Sequence, residues 1–156
     1  MNSTDYGESD GQGQREWEAT DLSGGAGQRH RRQRALGQAG ERLAAAALRQ
    51  RGYQICEQNF RCRVGEIDLV ACEGEELVFV EVKTRRGSSW GLPEEALTPR
   101  KRRKLIEVAA HYLELHGAYG RPWRIDVVAI QLSGTGRLEA LRIHRGAVEE
   151  EDARPF

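Results

Sequence analysis

The residues best suited to chemistry in this chain fall in one predicted β-hairpin. Residues 65–72 and 77–83 read as two strands, joined by Glu73-Gly74-Glu75-Glu76 with glycine in the turn. With side chains alternating, Ile67, Leu69 and Ala71 point one way, while Glu66, Asp68 and Val70 point the other. In the second strand Leu77, Phe79, Glu81 and Lys83 share one face, and Val78, Val80 and Val82 share the opposite one. A two-residue loop at Gly74-Glu75 and a four-residue loop at Glu73–Glu76 give the same register, which sets Asp68 opposite Glu81 and Glu66 opposite Lys83. Facing carboxylates repel across a ladder, and desolvation in a valine-rich strand raises the cost. A hard divalent cation held by oxygen ligands would offset both. Lys83 adds a point charge suited to a phosphate oxygen or an attacking water. Two acids and a lysine on one patch form a working arrangement for metal-assisted phosphodiester hydrolysis. The competing reading is a charged sheet face, with Glu66–Lys83 and its neighbours forming surface ion pairs.

Elements on either side must position this hairpin. Residues 35–51 are alanine-rich, with Leu36, Ala39, Leu43, Ala46 and Ala47 at helical spacing and Gly52 as the stop. Residues 53–60 read as a first strand. A loop containing Gly87, Gly91 and Pro93 follows the hairpin. Thr98 then offers an N-cap, with Pro99 at the first helical position of a second helix reaching about His116 before Gly117. Its apolar stripe is Leu105, Val108, Ala109 and Tyr112. Residues 123–131 and 137–144 are two further strands around Ser133-Gly134-Thr135-Gly136. The expected order is αβββαββ, an α/β fold in which helices flank a mixed sheet, in one domain over 35–148. Residues 1–34 are rich in Gly, Gln, Ser and charge, with Trp17 and Leu22 isolated, and are expected to form a disordered N-terminal tail. Residues 149–156 read as an acidic C-terminal tail.

The 156 residues carry 24 basic and 24 acidic side chains, but the balance is uneven: residues 35–145 hold 18 basic against 14 acidic. A basic body points towards an anionic partner, although ordinary variation in surface charge gives the same sum. The run Arg100, Lys101, Arg102, Arg103 and Lys104 sits in the first turns of the second helix. Cations there oppose the helix dipole by about 0.3–1 kcal/mol each. Helix stability therefore does not explain the run, whereas a phosphate contact does. The alternative is a solvated basic turn paired with Glu94 and Glu95. No stretch approaches the roughly 20 apolar residues needed to span a bilayer. The start has no basic segment leading into an apolar run, so no secretory signal is expected. Cys56, Cys62 and Cys72 form no C-x-x-C pair and read as reduced thiols, consistent with a cytoplasmic protein. His111 and His116 read as a helix flank and a C-terminal dipole partner.

Gly65-Glu66-Ile67-Asp68-Leu69-Val70-Ala71, followed by Phe79-Val80-Glu81-Val82-Lys83-Thr84-Arg85, resembles the YraN family of small bacterial proteins. That family is similar to the PD-(D/E)xK restriction-endonuclease-like nucleases and, among them, to archaeal Holliday-junction resolvases. The resemblance covers 35–145. Its other marks are Gly40-Glu41, Asn59-Phe60-Arg61, Lys101, Lys104 and Arg124-Ile125-Asp126-Val127. It implies Glu41, Asp68, Glu81 and Lys83 as catalytic residues, with Ile67 where proline stands in the superfamily name. It implies Mg2+ or Mn2+ held by Asp68, Glu81, the Val82 backbone carbonyl and Glu41. Arg61, Arg63 and Arg85 join Arg100, Lys101, Arg102, Arg103 and Lys104 as expected nucleic-acid contacts. The implied function is a metal-dependent endonuclease acting on DNA, including branched or structured DNA, with a homodimer suited to symmetric cutting of two strands. The second reading is a nucleic-acid-binding module without turnover, because fold likeness alone does not establish activity.

Overall fold

The elements follow in the expected order: α1 (Ser23–Gln50), β1 (Gln54–Arg61), β2 (Glu66–Glu73), β3 (Glu76–Arg86), α2 (Pro99–Leu115), β4 (Trp123–Leu132) and β5 (Leu138–Val148). The computed structural model describes residues 23–87 and 97–149. Residues 1–22 and 150–156, the loop positions Gly91 and Pro93, and Glu94 with Glu95 lie outside the described residues.

The five strands lie in sequence order in one sheet, β1-β2-β3-β4-β5. Only β3 and β4 run parallel, because α2 carries the chain back between them. The β2–β3 register is the expected one: Leu69 faces Val80, Ala71 faces Val78 and Glu73 faces Glu76. Gly74 holds φ 58° in this turn, a conformation that costs a residue with a β-carbon.

One helix covers each face of the sheet. Leu105, Val108, Ala109, Tyr112 and Leu113 of α2 pack with Val70, Leu77, Phe79, Ile125 and Val127. Ala44, Ala45 and Leu48 of α1 pack with Leu69, Ala71, Val78, Val80, Val128 and Ile130 on the other side. Coverage on both faces explains why β3 and β4 are near-continuous apolar runs. Thr98 caps α2 as expected, its Oγ1 accepting the Lys101 N–H at 3.1 Å.

Three differences from the expected boundaries have physical causes. Helix α1 begins at Ser23, not near residue 35. Its side chains from Gly25 to Ala35 are exposed, so no apolar stripe betrays this part of the helix. Second, the α1 side chains turned to the sheet follow Leu36, Gly40, Ala44 and Leu48, whereas Ala46 is exposed. In a run of alanines, periodicity cannot tell one face from another. Third, β5 continues past His144 to Val148 because Asp126 Oδ1 accepts the Gly146 N–H at 2.9 Å across a register shift. Among the thiols, Cys56 Sγ lies 2.8 Å from Cys72 Sγ on the neighbouring strand. Burial, and then Cys72, push the Cys56 thiol up to about 11.

Candidate active site

The regular β2–β3 ladder ends at the Leu69–Val80 pair, one step short of Asp68 and Glu81. There the Asp68 side chain replaces a backbone partner: Oδ2 accepts the Val82 N–H at 2.7 Å. Alternation along β2 breaks at the same place, since Ile67 packs on the α2 side and Leu69 on the α1 side. The end of the ladder thus brings an acidic side chain against the backbone of the E-V-K segment.

Glu81 is only 5 % exposed, yet it is not alone. Its Oε1 lies 3.3 Å from Lys83 Nζ and 3.4 Å from Lys101 Nζ. One lysine comes from the same strand and the other from the first turn of α2, so the α2 cap fixes where the second ammonium stands. Lys101 therefore belongs to this cluster, in addition to its place in the basic run. Glu66 does not pair with Lys83. It is exposed and pairs with Arg61 at 3.3 Å, which removes the Glu66–Lys83 ion pair from the surface-charge reading.

Asp68 feels charges from both helices. Burial first, then the Glu81 carboxylate, and more weakly Glu41, push its carboxyl up to about 7. The Val82 N–H and Lys101 act in the opposite direction. Glu41 reaches this environment because Gly40, buried in the preceding position, lets α1 lie directly on β3. A β-carbon on Gly40 would overlap the Thr84 hydroxyl and sit 2.9 Å from the Thr84 β-carbon. Gly65 plays the same part towards α2, where an added β-carbon would meet Val108 Cγ2 at 3.2 Å. The glycine interrupting an alanine-rich helix was the available signal for the first approach.

The remaining expected contacts separate into distinct places. Arg100, Lys101, Arg103 and Lys104 line one cavity of about 330 Å³ with Thr98 and Glu107. Arg102 does not line it. Its Nε donates to the Leu97 carbonyl at 3.2 Å and its Nη1 to the Ala147 carbonyl at 3.0 Å, tying the start of α2 to the end of β5. Arg61 lines a second cavity on the α1 side. Arg63 is exposed in the turn before β2, and Arg85 is half-buried beside Gln131 on β4.

Arg124 and Asp126 lie in a separate polar network at the opposite end of the β2–β3 hairpin. Arg124 donates to Asp126 at 2.9 Å, to Glu73 at 2.7 Å, to the Tyr53 hydroxyl at 3.0 Å and to Glu76. Burial opposes the Arg124 charge, but the hydrogen bonds to Asp126 and Glu73 outweigh it and raise the guanidinium pKa. Asp126 is fully buried. This network holds strand ends together and takes no part in the acidic centre.

Among the described residues, no group of three or more His, Cys, Asp or Glu side chains closes on a common point as a ready metal cage. Asp68, Glu81, Glu41 and the Val82 carbonyl are nonetheless all hard oxygen donors, the ligand class that Mg2+ and Mn2+ prefer. The repulsion on Asp68 from Glu81 and Glu41, only partly offset by the Val82 N–H and Lys101, is what a cation among these oxygens would relieve. The ion would supply the charge compensation that Glu81 now takes from two lysines.

Comparison with known sequences adds a family. Residues 40–130 match the family model described as "Uncharacterised protein family UPF0102". A UPF0102 protein of Moorella thermoacetica is 48 % identical over 114 residues, 73 % of this chain and 95 % of the relative. One of Anaeromyxobacter dehalogenans is 42 % identical over 135 residues, 86 % of this chain and 98 % of the relative. A third, of Symbiobacterium thermophilum, is 50 % identical over 105 residues, 67 % and 89 % of the two chains.

Proposed function

Because this chain belongs to the UPF0102 (YraN) family, whose description assigns no activity, we propose from its own geometry that it is a metal-dependent endonuclease cleaving phosphodiester bonds in DNA. One observation carries the reading: where the β2–β3 ladder ends, Asp68 accepts the Val82 N–H and feels the carboxylates of Glu81 and Glu41, while Glu81 holds Lys83 at 3.3 Å. Asp68, Glu81, the Val82 carbonyl and Glu41 would hold Mg2+ or Mn2+. When bound, the ion would polarise the phosphoryl oxygens and stabilise the charge that develops on them.

The protein groups then have separate tasks. Asp68 is fixed by the Val82 N–H, so its second oxygen is directed by the backbone of β3. Glu81 holds the Lys83 ammonium within 3.3 Å, which keeps that donor beside the acidic patch to orient an attacking water or meet a phosphate oxygen. Arg100, Arg103 and Lys104 extend positive charge from Lys101 along the first turns of α2, a surface suited to the DNA backbone. Four cations against one carboxylate in that cavity make it attractive to phosphate.

Calorimetric titration with manganese tests the metal site. The parent chain should bind, and the Asp68→Asn/Glu81→Gln double variant should not. Equal binding by both would remove the reading.

A further inference from the structure

Two cavities adjoin the acidic centre, and they differ in chemistry. The basic one shares Lys101, the partner of Glu81. The other, of about 600 Å³, shares Glu41, which acts on Asp68, and is lined by Arg34, Gln38, Glu41, Asn59, Arg61 and Glu66. Its charges balance, two guanidiniums against two carboxylates, and Arg61 is engaged with Glu66 at 3.3 Å. Such a groove is a poor track for a phosphate backbone. Its distinguishing groups are two neutral carboxamides, Gln38 from α1 and Asn59 from β1, both exposed.

Asn59 is the only non-glycine residue with positive φ among the described residues, at 54°. Asparagine tolerates this conformation better than most side chains. The next residue, Phe60, is buried against Tyr112 at 5.0 Å between ring centres on the α2 side. The core thus anchors β1 at Phe60, while Asn59 and Arg61 on either side line the groove.

Carboxamides pair in a bidentate manner with base edges, adenine above all. In a duplex those edges lie inside the grooves, but an unpaired base can enter a polar cavity of this size. Among the described residues no aromatic side chain lines the groove, which sets it apart from the stacking platforms of sequence-indifferent single-strand binders. We infer that Gln38 and Asn59 form a subsite for an unpaired base next to the cleaved phosphate, making the protein selective for DNA with an extrahelical nucleotide. The inference rests on the proposed nuclease reading and names the substrate feature that site selects.

Fluorescence anisotropy, with calcium in place of manganese, would compare a short DNA duplex with the same duplex carrying one unpaired adenine. The full chain should bind the bulged duplex about tenfold more tightly. The double variant Gln38→Ala/Asn59→Gly should bind both at the parent's plain-duplex level. Glycine at 59 keeps the left-handed backbone, and alanine at 38 suits an exposed helix position. Should the double variant fail to fold, Gln38→Ala alone must still cut the preference several-fold. A preference retained by the variant, or no preference in the parent, overturns the subsite and leaves the nuclease reading standing. Failure of the parent to bind either DNA overturns both.

Discussion

No side chain fits between Gly40 and Thr84: a β-carbon on the glycine would overlap the threonine hydroxyl and lie 3.2 Å from its methyl group. The close approach brings α1 onto β3 beside Glu41, and it leaves Thr84 Oγ1 buried without a hydrogen-bond partner among the described residues. Within a helix, Gly→Ala normally stabilises by about 0.5–1 kcal/mol. Gly37, with nothing within 4 Å of its added β-carbon, should behave that way. Gly40→Ala should reverse the sign and cost roughly 1–3 kcal/mol through overpacking. Urea unfolding of the two variants compares them directly, and Thr84→Ala should recover part of the Gly40→Ala loss.

Asp68 should make the metal-free protein less stable as pH rises. Its folded pKa of about 7 lies above the ordinary 3.8, so the native state holds the proton more tightly than the unfolded chain does. Stability is then highest below the unfolded value, falls as pH rises between the two, and levels off above the folded value. Asp68→Asn keeps an oxygen to accept the Val82 N–H and removes the penalty. At pH 8 with chelator it should gain roughly 1–3 kcal/mol over the parent, and at low pH almost nothing. Unfolding curves at the two pH values measure the difference.

The basic start of α2 should divide into two kinds of arginine. Arg102, bonded to the carbonyls of Leu97 and Ala147, serves the fold. Arg102→Gln should lower the melting temperature and leave the salt dependence of DNA binding intact. Arg100→Gln/Arg103→Gln should spare stability and weaken binding alike across sequences. The log–log salt slope should fall by roughly 0.9 for each phosphate that the variant no longer neutralises.

The polar network at the other end of the hairpin should prove structural. Asp126 accepts from both Arg124 and the Gly146 N–H. Asp126→Ala leaves a half-buried guanidinium short of a partner and should cost roughly 3–5 kcal/mol. Thermal melts measure the loss, and manganese affinity of the remaining folded protein should be unchanged.

The hairpin carries most of what is legible in the sequence. Its register, the order of elements and the α2 stripe follow from alternation, turn glycine and capping, which are local properties. That register carries Asp68 and Glu81 to the end of the ladder, but their meeting there depends on a break in the β2 alternation and on the Val82 N–H that Asp68 accepts. What escapes depends on long-range packing. The substitution of the Asp68 carboxylate for a backbone acceptor has no local signature. Arg102 looks like its neighbours until the end of β5 arrives beside it. Alanine-rich α1 conceals which side faces the sheet, and its extension to Ser23 has no buried stripe to announce it.

Cleavage itself tests the central claim most directly. The parent chain and Glu81→Gln would be incubated with branched, duplex and single-stranded DNA, with manganese or with chelator. The account predicts strand breaks from the parent in manganese only, with branched DNA cut in preference to plain duplex, and none from Glu81→Gln at equal folded concentration. Equal cutting by parent and variant, or no cutting of any DNA by a parent that binds manganese, would contradict it.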